Sequence, residues 1–165
     1  MNKSRKLLFN AAVIFLILIG VAAIAAPLIA PHSPTDQDTD IRFTGPSSAN
    51  FLGTDNFGRD VLSRIIFGSR SALIVGLVSV SVAVSIGTVA GLSAGLGSGT
   101  ADNILMLLMD SILSFPTILL AITVVSFLGY GLVQVMLAIG VIFSPVFARL
   151  VRAETLSIKT EGYVE

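Results

Sequence analysis

Charged side chains are concentrated in one short stretch, residues 51–70, which reads FLGTDNFGRDVLSRIIFGSR. Its two carboxylates, Asp55 and Asp60, enclose a glycine and an arginine, Gly58 and Arg59. Catalysis by these groups would need a nucleophile beside a base, or paired carboxylates with shifted pKa values. The same spacing suits a tight turn held by local ion pairs. We therefore interpret these four residues as structural, with contact to a docking partner as the alternative and catalysis as the least favoured role.

The composition argues against several classes of protein and indicates the membrane. Lys and Arg together number 10, as do Asp and Glu, so the charge balance gives no reason to expect nucleic acid as a partner. One histidine, His32, and no cysteine argue against metal sites and disulfides, and no cofactor is expected. Hydrophobic residues make up 54% of the chain and charged residues 12%, whereas soluble domains average about 45–50% and about 25%.

Four apolar segments are long enough to cross a bilayer as helices, which need ~20 residues each. We predict an all-α membrane protein, a polytopic helical bundle, because a lipid-exposed backbone must satisfy its own hydrogen bonds. A cleaved signal peptide is the alternative for the first segment, but its apolar run exceeds the ~7–15 residues of a signal core. The predicted organisation is a cytoplasmic N-terminus (1–10), a first transmembrane helix (11–30), an external loop with an amphipathic helix (31–70) and a membrane domain (71–165), with spans at about 71–97, 103–127 and 132–148 and then a cytoplasmic segment, 149–165.

A short amphipathic helix is expected just before the second span. Val61, Leu62, Ile65 and Ile66 recur at a helical spacing. A helix with such a face is typical of one that lies in the plane of the membrane interface. We expect the chain to turn into the membrane at Gly68.

Basic residues predict the orientation of the spans. Two compact basic clusters flank them: Lys3, Arg5 and Lys6 before the first, and Arg149, Arg152 and Lys159 after the fourth. Four crossings return the chain to its starting side, and basic residues near spans favour the cytoplasm. Both clusters should therefore be cytoplasmic, and residues 31–70 external.

Small residues recur every four positions along the second span: Ser79, Ala83, Gly87, Gly91 and Gly95. We call these five residues the small-residue ridge. Such a ridge lets two helix backbones approach closely, and helix association in lipid depends on packing. We predict that the ridge packs against another helix, with a ligand path as the less favoured alternative.

Three residues interrupt the apolar pattern of the third and fourth spans. A carboxylate such as Asp110 costs ~2.5–3.5 kcal/mol near the bilayer centre, so we expect it to make a structural polar contact or to line an aqueous path, with ion coupling as the alternative. Pro116 and Pro145 lack a donor N–H and clash with the carbonyl four residues earlier. Each should therefore kink its helix.

Three stretches together closely resemble the dipeptide/oligopeptide permease family, the inner-membrane subunits of binding-protein-dependent ABC importers: FLGTDNFGRDVLSRIIFGSR, MDSILSFPTILLA and ARLVRAETLSIKTEGYVE. The likeness covers essentially everything from Phe51 onward, with the motifs in the family's order. It implies a permease of the type I ABC-importer kind with six transmembrane helices, of which four are expected here. The chain would then be an N-terminal fragment.

The resemblance also implies partners, a location and two functional segments. Such a permease pairs with a second, homologous permease in a bacterial or archaeal inner membrane. Two cytoplasmic ATPases power it, and an extracytoplasmic solute-binding protein delivers the substrate. A cytoplasmic loop with an EAA motif docks into the ATPase, which on this resemblance assigns ATPase coupling to Glu154, Gly162, Tyr163 and Glu165, the last matching the first residue of the motif. The segment Asp55–Asp60 becomes an external collar near the binding protein.

The expected function is therefore a permease subunit of an ATP-driven importer, for di- or oligopeptides, that forms the translocation path with the second permease. The chain has no Walker A sequence, so we expect it not to be an enzyme and ATP hydrolysis to occur in the partners. The alternatives are an ion-coupled secondary transporter that uses Asp110 and a non-transporting membrane scaffold. The resemblance leaves dipeptides, oligopeptides, glutathione and nickel open as substrates.

Overall fold

The structure, a computed structural model, describes the backbone of residues 3–160 and the side chains of residues 5–160. Within that range the fold is all-helical, apart from an isolated bridge between Thr54 and Asp60, as the sequence predicts. A short 3-10 helix covers Thr39–Ile41. The α-helices are α1 (Lys3–Ile29), α2 (Val61–Leu96), α3 (Gly99–Ser114), α4 (Thr117–Leu128) and α5 (Leu132–Lys159).

The helices supply three or four candidate membrane spans. Three of them, α1, α2 and α5, are long and apolar enough to cross a membrane, and α3 with α4 forms a fourth candidate that is bent by 101°. The four spans predicted from the sequence therefore correspond to three long helices and one broken pair.

The chain divides into two compact units, Met1–Ile74 and Val75–Glu165. In the first unit, α1 exposes large apolar side chains along its whole length, while Ala23 and Ala26 are buried. A helix that is hydrophobic on every side is typical of a membrane span. The segment between α1 and α2 folds as a series of hydrogen-bonded turns.

The predicted inward turn at Gly68 is wrong. Helix α2 runs without interruption through Gly68, so the amphipathic segment and the second span are one helix of 36 residues. A glycine inside a helix costs only ~1 kcal/mol relative to alanine. This cost is too small to end a helix at Gly68 when the segments on both sides of it are helical.

Pro116 breaks the third predicted span, where the sequence predicted a kink. Helix α3 ends at Ser114, Phe115 has extended dihedral angles (φ −86°, ψ 142°), and α4 begins at Thr117. A proline ring disfavours the helical conformation in the residue before it, which places Phe115 outside both helices. The result is a bend of 101° between α3 and α4.

Pro145, in contrast, lies inside α5 without ending it. A proline at this position cannot donate a hydrogen bond to the carbonyl of Val141. The hydroxyl of Ser144 donates to that carbonyl instead, at 2.8 Å. The neighbouring side chain thus satisfies the acceptor that the proline leaves free.

Helix α5 is the central element of the second unit. It packs against both α3 and α4, and its residues also lie against glycines of α2. Its buried residues are Met136, Ala138, Gly140, Ile142, Ser144, Pro145 and Ala148. Most of these side chains are small, so neighbouring helices can approach α5 closely.

Candidate functional site

Asp55 organises the turn that precedes α2. Its Oδ1 accepts hydrogen bonds from the backbone N–H groups of Phe57 (2.8 Å) and Arg59 (3.0 Å). Its Oδ2 accepts from the Nε of Arg59 at 2.8 Å and from the guanidinium of Arg64. Burial acts to raise the pKa of Asp55, but the backbone and side-chain hydrogen bonds outweigh it and lower that pKa to about 2. Asp55 is therefore a permanently charged anchor at neutral pH.

Asp60 caps the N-terminus of α2. Its carbonyl accepts the first helical hydrogen bond, from Arg64, and its Oδ2 accepts from the backbone N–H of Ser63 at 2.8 Å. Asn50 donates to the other carboxylate oxygen at 3.1 Å. Burial acts to raise the pKa of Asp60, and the hydrogen bonds from Ser63 and Asn50 together lower it. This carboxylate is 4% exposed and already holds three chain segments together, counting His32, whose Nδ1 lies 3.9 Å away.

Gly58 brings two parts of the same loop into contact. Its φ of +73° is a conformation that side chains disfavour, and a Cβ there would lie 1.6 Å from the carbonyl oxygen of Asp38. Arg59 stacks on Phe57 as well, with its guanidinium carbon 4.7 Å from the ring centroid. The structure thus brings Asp55, Gly58, Arg59 and Asp60 together as one compact turn.

The chemistry of this turn is structural. Both carboxylates already accept hydrogen bonds from their neighbours, and in the part of the chain that the structure describes no three histidine, cysteine or acidic residues are grouped to hold a metal ion. A general base or nucleophile needs an available lone pair within reach of substrate. The residues of the turn that sequence reasoning missed are Asn50, His32 and Ser63, whose separation along the chain hides their role.

The small-residue ridge of α2 faces α5. A Cβ on Gly87 would lie 2.7 Å from the carbonyl oxygen of Ser144, and one on Gly91 would lie 2.6 Å from that of Ala148. Further along, a Cβ on Gly95 would lie 2.7 Å from the side chain of Thr155. The remaining ridge residues, Ser79 and Ala83, are 3% and 1% exposed. The two backbones are therefore as close as the absence of larger side chains permits.

An apolar cavity of about 420 Å³ opens between α2 and α5 beside the ridge. Its lining includes Ser79, Ala83, Phe143 and Phe147. The Oγ of Ser79 is buried without a hydrogen-bond partner. A peptide would require polar groups for its amides and termini, so this cavity does not have the chemistry of a peptide site.

Two ion pairs join α3 to α5. Arg152 donates to both oxygens of Asp102, from Nε and from Nη2, each at 2.5 Å. Arg149 donates to Oδ1 of Asp110 at 2.5 Å. Asp110 thus makes a polar contact, one of the two roles expected for it, and Asp102, Arg149 and Arg152 are partners that sequence reasoning missed. The available signal was the presence of two aspartates on α3 and two arginines on α5.

The residues predicted to couple to an ATPase lie at and beyond the end of α5. Glu154 is exposed on that helix. Gly162, Tyr163 and Glu165 lie outside the described residues, so their assignment stays a prediction. The helix itself ends at Lys159, where Thr160 caps it.

Two family models match the chain, in order along the sequence. Residues 5–46 match the N-terminal TM domain of oligopeptide transport permease C. Residues 87–165 match the binding-protein-dependent transport system inner membrane component. Together they cover nearly all of α1 and most of the second unit, which contains the ridge and the two ion pairs.

Curated relatives are also named as permease proteins of transport systems. The chain is 44% identical over 156 residues to a glutathione transport system permease protein of Pectobacterium atrosepticum, covering 94% of the chain and 52% of the relative. It is 40% identical over 157 residues to a di/tripeptide transport system permease protein of Pseudomonas aeruginosa, covering 92% and 52%. A probable D,D-dipeptide transport system permease protein of Escherichia coli is 36% identical over 165 residues, covering 100% and 55%. The chain therefore spans about half the length of these relatives.

Proposed function

Because the chain belongs to the family of binding-protein-dependent transport permeases, we propose that it is a membrane-spanning permease subunit of an ATP-driven importer. The observation that carries this proposal is the match of two permease models in the family's order on a chain with three long apolar helices and a fourth, broken pair. The relatives named above are permease proteins of a glutathione, a di/tripeptide and a probable D,D-dipeptide transport system. We take short peptides as the substrate class.

The chain's own role in this proposal is to build half of a path and to transmit force. It works with a second permease, two cytoplasmic ATPases and an extracytoplasmic solute-binding protein, and ATP hydrolysis belongs to the ATPases. The N-terminus and the end of α5 lie in the cytoplasm. At 1.5 Å per residue, the 28 residues of α5 extend about 42 Å, beyond a hydrocarbon core of about 30 Å, so its charged end can reach an ATPase.

The turn around Asp55 takes the position of an external collar in this arrangement. Its ion pairs and close backbone contacts give a preformed surface that needs little ordering when the binding protein docks. We assign it a docking role without a share in substrate chemistry.

An ion-coupled transporter is the second candidate, since Asp110 is an acid within a candidate span. That carboxylate is engaged by Arg149, so carrying a proton or cation would require this pair to separate in every cycle. A non-transporting scaffold, the third candidate, would show no uptake at all.

Uptake of a labelled tripeptide into proteoliposomes separates the three candidates. The full-length permease is reconstituted with its partner permease, the ATPases and the binding protein. Uptake should require both ATP and the binding protein and should persist when ionophores collapse the ion gradients. Uptake that is driven by an ion gradient without ATP would favour the second candidate, and absence of uptake in an assembled complex the third.

Coupling to the ATPase is tested at Glu165. A carboxylate in the first turn of a helix is stabilised by ~0.3–1 kcal/mol at the positive helix end, and it can meet a basic residue of the ATPase. Glu165→Lys in the full-length permease should lower substrate-stimulated ATP hydrolysis and transport together, while the affinity of the binding protein for free peptide stays unchanged. Full transport by this variant would contradict the coupling assignment.

A further inference from the structure

Charged contacts within the second unit are confined, among the described residues, to one pair of helices. The part of α2 in this unit, from Val75 to Leu96, has no charged residue, and neither has α4. The contacts of this part of α2 with α5 are therefore made by small or apolar side chains, which have no strong directional preference. Between α3 and α5, in contrast, two arginines meet two aspartates.

The pair between Asp102 and Arg152 has the stricter geometry. Two parallel hydrogen bonds from a planar guanidinium fix both the distance and the orientation of its partner. The two side chains are 17% and 33% exposed, so water competes only partly for them. This pair holds the first turn of α3 against α5.

The second pair attaches α3 to α5 at a separate level. Asp110 follows Asp102 by eight residues, about 12 Å along the axis of α3 at 1.5 Å per residue. Between the two levels, Met106 packs against a buried cluster that includes Met109 and Ala148. Two charged attachments with an apolar contact between them resist sliding and rotation of one helix against the other.

The neighbouring joint has the opposite character. The residue pair Phe115–Pro116 separates α3 from α4 at a bend of 101°, and α4 begins without a side-chain cap. Hinges are commonly a few residues at the ends of elements. Both ion pairs therefore involve residues of α3, before the bend that separates α3 from α4.

We infer that Asp102, Asp110, Arg149 and Arg152 are positioning residues that clamp α3 to α5, so that these two helices move as one body during transport while α4 moves relative to them at the Phe115–Pro116 break. The inference rests on the proposed transport function and specifies how force that enters at the end of α5 reaches α3. The ion pairs themselves touch no substrate in this scheme.

Charge exchange tests the clamp in the full-length permease, assembled with its partners. Asp102→Arg alone should lower the number of peptides transported per ATP hydrolysed about tenfold, a magnitude typical of coupling between two sites. Combining it with Arg152→Asp recreates the pair in the reverse sense and should restore most of that ratio. Normal coupling in the single variant, or no restoration in a double variant that still assembles, would overturn the clamp.

Spin-label distances test the movement directly, because residues 1–165 contain no cysteine and any cysteine in the rest of the full-length permease is replaced. One label pair is placed at Leu107→Cys on α3 and Leu150→Cys on α5, and a second at Phe127→Cys on α4 with the same position on α5. All three side chains are exposed. Between the nucleotide-free and ATP-trapped complexes, made with cysteine-free partners, the first distance should stay constant and the second should change.

The two distances also separate this inference from the transport function. A complex that imports peptide with ATP but changes the first distance would overturn the clamp and leave the function intact. A constant second distance in such a complex would overturn the hinge. Absence of ATP-dependent import would instead contradict the proposed function.

Discussion

At the scale of single residues, the two carboxylates of the turn before α2 hold the chain's own backbone. Asp55 accepts two backbone and two arginine hydrogen bonds, and Asp60 caps a helix while it joins Asn50 to Ser63. A hydrogen-bonded carboxylate has a lowered pKa because its ionised form is the better acceptor. The geometry of the turn thus explains why charged residues are concentrated at residues 55–60. The pKa values of Asp55 and Asp60 are lowered by the hydrogen bonds that hold this turn.

Acid should loosen the turn around Asp55. Its folded pKa of about 2 lies below the ordinary value of 3.8, so its stabilisation is complete above about pH 3.8 and is lost as the pH falls towards 2. Pepsin, which is active across this range, can report the change by cleavage beside Phe57. The wild-type turn should become susceptible only as the pH approaches 2.

The matched variant Asp55→Asn lacks the ionised form at every pH. It should be cleaved at a similar rate throughout, relative to an unstructured control peptide. Identical cleavage profiles for the wild type and the variant would show that the carboxylate does not hold this turn.

At the scale of elements, two different kinds of contact organise the helices of the second unit. Between α2 and α5, close approach depends on the absence of side chains at Gly87, Gly91 and Gly95. Between α3 and α5, contact depends on specific charges at both levels. Small residues set a distance, and the bidentate pair of Asp102 and Arg152 also sets an orientation, so each contact tolerates a different class of substitution.

Gly91→Ala should weaken the packing of α2 against α5. The added Cβ would lie 2.6 Å from the carbonyl oxygen of Ala148 and 2.8 Å from the Cβ of Val151, and such overpacking typically costs ~1–3 kcal/mol. The control is Gly76→Ala on the same helix, where a Cβ meets nothing within 4 Å and alanine favours the helix by up to ~1 kcal/mol.

The free energy of unfolding in detergent micelles measures both variants. The expected order of stability is Gly76→Ala at or above the wild type, and Gly91→Ala clearly below it. If both substitutions stabilise the protein alike, the ridge does not set the distance between α2 and α5.

Ser144 should be needed only because of the proline next to it. Ser144→Ala in the wild type leaves the carbonyl of Val141 without a donor and should cost ~1 kcal/mol of stability. In the Pro145→Ala background, the new backbone N–H can donate to that carbonyl, and the same change should cost little. A double-mutant cycle by detergent unfolding gives the coupling between the two sites; a coupling near zero would contradict this account.

At the scale of the whole molecule, the distribution of basic residues predicts how the chain crosses the membrane. The long apolar helices and the broken pair allow four crossings, which place both basic clusters on one side. Basic residues near the ends of spans favour the cytoplasmic side. An even number of crossings is the condition on which this orientation depends.

Thiol labelling in intact cells tests that orientation. Ser47→Cys should react with a membrane-impermeant reagent from outside, and Thr155→Cys should react only after the cells are permeabilised. The cysteine-free parent gives the background. Labelling of Thr155→Cys in intact cells with Ser47→Cys silent would reverse the topology, and labelling of both would show an even number of crossings between them.

The sequence by itself determined the membrane class, the helical content, the number of apolar segments and the existence of the small-residue ridge. These are local properties, since the length of an apolar run and a repeat of four residues can be counted along the chain. The match to two permease models agrees with the family that the three motifs indicate. The turn at residues 51–60 could also be predicted from the sequence, because its glycine and its ion-paired residues are close together along the chain.

Only the tertiary structure decided the partners of the charged side chains, the course of the chain at Gly68 and the size of the bend that the sequence located at Pro116. Arg149 and Asp110 are 39 residues apart, and Arg152 and Asp102 are 50 apart, so their meeting depends on how α3 and α5 pack. At Gly68 a weak local preference yields to the helix on both sides, whereas at Pro116 a steric conflict with Phe115 cannot be relieved within a helix. The physical reason is that apolar length and residue spacing are properties of each segment by itself. Contacts between distant side chains depend instead on how the helices pack against one another.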